Sequence, residues 1–237
     1  MVTYDWLVFT WAIHHPLKDL YNQGFVSPPW ALLFLPHALL PPLIGVNLNR
    51  ILTLLLIGYV IRKRGGDTIS LLIVGTSMPL FWLMINGNID FILFLGLLLP
   101  PSLGLIAFSA KPQAGIGMIP LYFKRYGWTA FVPVVIIVIA SFVIYKNWIV
   151  HLTPIIIPGR QFQFFPWLVP VGVYLIYLSW HDNDDSWAAL ASLFLVPYYG
   201  FWSLTFPLAL LSTKHKRVAI LLWFGSWLYQ AVIAYLF

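Results

Sequence analysis

Between Trp128 and Tyr145 the chain reads WTAFVPVVIIVIASFVIY, a run without a single charge. As a helix rising 1.5 Å per residue, such a run approaches the roughly 30 Å hydrocarbon core of a bilayer. A helix that is apolar all round needs protein or lipid on every side. Over all 237 residues, 61% are hydrophobic and 8% charged, with a mean hydropathy of +0.87. A soluble domain carries about 25% charge, so lipid is the expected solvent for most of this chain. The fold class expected is all-α: a polytopic membrane protein forming one transmembrane domain over 1–237, because no polar stretch is long enough to fold separately.

Other apolar segments are shorter. Residues 1–28 hold too few consecutive apolar residues to cross, and His14, His15, Lys18, Asp19, Asn22 and Gln23 place them at the interface. One or two short surface helices are expected there, with Trp6 and Trp11 at headgroup depth. Residues 29–44 are broken by Pro36 and Pro41-Pro42 and should form a short or kinked helix. Spans are expected over 45–61, 69–85, 128–145, 166–180 and 218–237, with shorter pieces at 89–99, 103–110, 114–123, 187–196 and 201–211. The bundle over 29–237 therefore holds about eight membrane-embedded helices, several too short to cross alone. Irregular backbone at membrane depth is tolerated where it is buried in protein or lines a wet cavity. The repeated breaks between 86 and 112 point to such a cavity.

The net charge of +6 lies in short clusters between apolar runs: Arg62-Lys63-Arg64, Lys124-Arg125 and Lys214-His215-Lys216-Arg217. Such clusters orient spans by staying in the cytoplasm, so they argue against a nucleic-acid partner. The acidic turn at 182–185 then falls on the same side, and the loop at 146–165 on the other. With no cysteine, disulfides and Cys-ligated zinc are excluded. Met1 to Thr3 carry no basic leader and no small-residue cleavage site follows, so an internal span is expected to direct insertion. No nucleophile elbow, Walker loop, dinucleotide fingerprint or His-Glu metal motif occurs. The adjacent His14 and His15 make a poor metal pair, and neither metal nor cofactor is expected.

Ionisable groups at membrane depth are costly and usually functional. Asp5, one of only seven acidic residues in a chain without Glu, stands in VTYDWLVFTW. It is either a solvated helix cap or a site residue. Asn86 and Asp90, four apart, would share a helix face and either cap the following helix or belong to a site with Asn88. His37 reads as a packed imidazole hydrogen-bonded to backbone. Lys111, with no acidic neighbour in sequence, either snorkels to the interface or meets an anionic ligand such as a lipid phosphate.

The order of these segments resembles the GT-C superfamily of membrane glycosyltransferases, and most closely the polyprenol-phosphate-mannose-dependent type, glycosyltransferase family 87. YDWLVFTWAIHHPLKDLYNQGFVSPPWALLFLPHALLPP is similar to that family's first external loop and next helix, matching at Asp5, Leu20-Tyr21, Pro28-Pro29 and Leu40-Pro41. NGNIDFILFLGLL is similar to its Gly-Gln/Asn-x-Asn/Asp helix start, and GLIAFSAKPQAGIGMIPLYFKRYGW to its Lys-Pro segment. LFLVPYYGFWSLTFPLALL loosely resembles its Ser-Pro-x-x-Trp-x-His-Tyr segment, without the Ser and the His. The likeness covers residues 4–212, although family members are usually longer and carry a membrane helix before the Asp.

The resemblance implies an inverting transfer of a hexose, mannose in the nearest type, from a polyprenyl-phosphate donor in a prokaryotic cell membrane. Asp5 would be the general base, with Lys111, Arg160 and His151 binding the donor phosphate. Tyr4, His14, Tyr21, Asn86, Asn88, Asp90, Tyr198 and Tyr199 would line the groove. The alternative is a non-catalytic subunit on the same scaffold, its many aromatics packing against other membrane subunits or lipids. A small transporter is a further alternative, since broken helices are frequent there, but no inverted repeat is visible.

Overall fold

The computed structural model describes residues 2–16, 20–21, 24–146, 148–151, 161–162 and 164–236. The helices are α1 (Tyr4–His14), α2 (Pro42–Lys63), α3 (Thr68–Gly75), α4 (Met78–Asn86), α5 (Phe91–Gly96), α6 (Pro101–Ala110) and α7 (Pro112–Gly115). They continue with α8 (Met118–Tyr126), α9 (Trp128–Tyr145), α10 (Val169–Asp182), α11 (Asp185–Leu195), α12 (Thr205–Lys214) and α13 (Lys216–Leu236). Residues Gln161–Phe162 (β1) and Tyr199–Gly200 (β2) pair antiparallel, Gln161 opposite Gly200. Among the described residues the fold is all-α apart from that pair.

Among the described residues three helices are long and apolar enough to cross a membrane: α2, α9 and α13. The pair α3 and α4 adds a fourth if it is one bent span. This is fewer than the eight expected, because most of the other apolar stretches divide at Pro or polar breaks into helices of four to fourteen residues. The expected span over 69–85 bends by 58° between α3 and α4. Ser77 accepts from the Leu80 N–H at 3.4 Å, and Pro79 beside it has no N–H to give, so a new helix starts there. Within the expected helix over 29–44 lie two 3₁₀ turns, Pro29–Phe34 and Pro36–Leu39, each opened by a proline, and α2 begins at Pro42.

Of the long helices α9 and α13 lie outside, whereas the short α11 and α12 lie inside. Only 11% of the apolar window of α9, and the same share of α13, is buried against protein. In contrast, α12 is buried from Thr205 to Ser212, and α11 from Asp185 to Leu193 except at Trp187. Close packing here relies on small residues. A Cβ on Gly117 would stand 1.9 Å from the Ala188 carbonyl oxygen, and the Gly117 N–H donates to Ser192 Oγ at 2.9 Å.

The expected surface helix at the amino terminus is α1, but it is not superficial. It is apolar around its circumference, and Trp6, Val8, Phe9 and Ala12 pack into a second core with Phe25, Leu35 and Ile92. Trp6 is completely buried, whereas Trp11 stacks on His15 with ring centres 5.0 Å apart. Lys18, Asp19, Asn22 and Gln23 lie outside the described residues.

At one end of the molecule the basic clusters meet the acidic turn, as their shared side in the sequence reading requires. Asp185 bridges Arg64 and Arg125, Lys216 reaches Asp67 at 2.6 Å, and His215 Nε2 lies 3.0 Å from Asp184. The opposite end of α2 carries a second polar cluster.

Candidate functional site

The second cluster begins with a problem of backbone chemistry. Helix α4 stops at Gly87, whose φ of +61° belongs to the left-handed region, and a Cβ there would meet Val46 Cγ2 at 2.7 Å. Its last carbonyls have no partner within the helix, and in an apolar setting each needs one. Side chains from α2 and the cap of α1 supply them. Arg50 donates to the Met84 carbonyl at 2.7 Å and to that of Ile85 at 3.2 Å. Thr3 Oγ1 donates to Asn86 O at 2.6 Å. Asn49, fully buried, donates Nδ2 to the carbonyls of Gly87 at 3.3 Å and Asn88 at 3.1 Å.

His37 completes this lattice. Its Nε2 lies 3.3 Å from Asn49 Oδ1, and its ring stacks on Trp6 with centres 5.4 Å apart. The imidazole is packed, as expected, but its partner is a side chain rather than backbone.

The turn so held presents Asn88 and Asp90 to Lys111, which follows α6. Lys111 Nζ donates to Asn88 Oδ1 at 2.8 Å and forms an ion pair with Asp90 Oδ2. Asn88 Oδ1 also accepts from the Ile89 N–H at 2.8 Å. Asp90 is 0% and Lys111 2% exposed. The lysine therefore neither snorkels nor waits for an anion, since a carboxylate already neutralises it. Asp90 Oδ1, also buried, has no hydrogen-bond partner among the described residues. Asn86 and Asp90 do not share a helix face, because Gly87 separates the end of α4 from α5.

Two further segments reach this pair electrostatically. Asp5, partly exposed in the first turn of α1, interacts with the Lys111 ammonium, and Asp90 interacts with the buried Tyr199 of β2. Tyr199 donates its hydroxyl to Ser203 O at 3.0 Å. Residues 5, 86–90, 111 and 199, scattered along the sequence, are thus brought to one end of the molecule. Of the carboxylates there, Asp5 is partly exposed. Asp90 and Lys111 are sealed.

The remaining expected residues divide. Tyr21 is half-buried and donates to Ser27 O at 3.2 Å, and Asn86 and Tyr198 are likewise partly buried. Tyr4, at 71% exposure, and His14, bonded to Thr10 O in its own helix at 2.7 Å, do not line an interior. Arg160 lies outside the described residues, as does the His151 side chain. Sequence reasoning missed Asn49 and Arg50, although NLNR inside an otherwise apolar span is a visible signal. Among the described residues, no His and Asp side chains gather in threes as a metal would require. No protein family, no curated protein and no solved structure matches this chain.

Proposed function

We propose that the chain is a multi-pass, GT-C-like glycosyltransferase of a prokaryotic cell membrane that uses a polyprenyl-phosphate sugar donor. The observation that carries this reading is that the partly exposed Asp5 carboxylate acts electrostatically on Lys111, the sealed partner of Asp90. The segments that resemble the family converge there, which packing alone does not demand.

In this mechanism the acceptor hydroxyl attacks the anomeric carbon. The bond from that carbon to the phosphate oxygen breaks, and the polyprenyl phosphate leaves with the electron pair. Asp5 takes the hydroxyl proton. No general acid is needed, because the phosphate leaves as a stable anion. Lys111 contributes by holding the 86–90 turn, and direct contact with the phosphate would require Asp90 to release it. Arg160 and His151 are the remaining candidates for that contact. Replacing Asp5 with Asn should lower sugar transfer from a lipid-phosphate donor by about 10²–10⁴-fold. Unchanged turnover in membranes would reject Asp5 as the base.

A second reading, a non-catalytic subunit of a larger membrane complex, is favoured by the same ion pair, since Lys111 is already satisfied without a ligand. Stoichiometric partners on purification, with no transfer by the isolated chain, would decide for it.

A further inference from the structure

The basic end of the molecule has a feature that neither reading uses. Residues 213–218, between α12 and the start of α13, line an open depression of about 590 Å³. Lys214, Lys216 and Arg217 belong to it. The segments 62–67, 124–125, 182–185 and 214–217 together hold eight Lys and Arg but four Asp. All four carboxylates are committed: Asp185 to Arg64 and Arg125, Asp184 to Lys214 and His215, Asp67 to Lys216, and Asp182 to His181. Arg217 is exposed and, among the described residues, has no carboxylate to meet.

Arg217 also heads a particular face of α13. Leu221, Phe224 and Leu228 follow at four, seven and eleven residues, the spacing of one helical stripe. They are 71%, 59% and 55% exposed. A cation in a concave basic site thus continues directly into an apolar strip along a candidate span. That combination matches an amphiphile with an anionic head.

We propose that this depression binds the phosphate headgroup of an anionic membrane lipid, with Arg217 on the phosphate and the acyl chains along Leu221, Phe224 and Leu228. The first turn of α13 adds its own favourable dipole for an anion. The inference does not depend on the glycosyltransferase reading.

The test is lipid retention. The full chain is reconstituted in nanodiscs of equimolar phosphatidylcholine and phosphatidylglycerol, released into mild detergent, and its bound lipids are measured by native mass spectrometry. Phosphatidylglycerol should be enriched, and Arg217→Gln should lower the enrichment about fivefold, the contribution of one cation near an anionic surface. Lys124→Gln should leave it unchanged, because that ammonium is at the same end but is held on the Trp180 carbonyl. Equal retention of both lipids by the wild-type chain would overturn the proposal whether or not any variant folds. An equal loss in Lys124→Gln would also overturn it, since only a diffuse surface charge would remain. Complete displacement by inorganic phosphate at the concentration of the lipid would reject the lipid assignment in favour of a free-anion site.

Discussion

At the scale of the residue, Lys111 and Asp90 depend on each other. Both are sealed from solvent, so removing one leaves an uncompensated charge in an apolar interior. Asp90→Asn should destabilise the protein by about 3–5 kcal/mol, as the loss of one partner of a buried pair does. Asp90→Leu combined with Lys111→Met should recover most of that, because no charge is left behind. Thermal unfolding in detergent micelles measures both, and a double variant as unstable as the single one would contradict the argument. Asp5→Asn should cost under about 1 kcal/mol, the usual range for a first-turn acid at a helix terminus. Its effect on transfer is then separable from folding. Little of this pairing could be read from the sequence. Lys111 has no acidic neighbour along the chain, and its partner stands 21 residues away, on the far side of the Pro100-Pro101 break. That Asp90 occupies the ammonium was not expected, because ion pairs between segments distant in sequence leave no local pattern.

At the scale of the element, helix α9 falls on the residues expected, and α2 and α13 extend the expected spans by a few residues at their ends. Uninterrupted hydrophobicity fixes a helix without help from its neighbours. The break between α3 and α4 was legible in principle, since Ser77 and Pro79 together mark a helix start, but the apolar run around them masks it. The depth of α1 was not legible, because the groups that bury Trp6 come from residues far along the chain. Helix packing yields a further test at Gly117. Alanine there would press on the Ala188 backbone and Ser192, and overpacking of this kind costs about 1–3 kcal/mol. Gly225 of α13 has nothing within 4 Å of an added Cβ, so Gly225→Ala should be neutral or stabilising. Equal unfolding temperatures for the two variants would show that α8 and α11 are not packed as described.

At the scale of the whole molecule, polar networks fasten both ends of the bundle, and the basic end should respond to acid. Burial pushes the Asp184 carboxyl up, but the Ser186 N–H, His215 and Lys214 together pull it below the usual 3.8. Asp67 is lowered as well, mainly by its bond to Lys216. A depressed folded-state value means that the unfolded chain takes up protons first as pH falls. The stabilisation is therefore full above the unfolded value near 3.8 and is lost as pH drops through the folded values below it. Melting temperature measured between neutral pH and pH 2 should decline below about pH 4, and Asp184→Asn should flatten that decline.

The arrangement of long helices around short ones also constrains how the protein is made. Helices α9 and α13 can pass singly into the bilayer as they emerge from the ribosome. A ten-residue helix such as α6 or α12 is too short to do so, and its ends would carry bare backbone into hydrocarbon. Phe108 of α6 meets Phe206 of α12 with ring centres 6.2 Å apart, so the interior around them is incomplete until α12 has been made. Closure of the interior is therefore expected late, after most of the chain has been made.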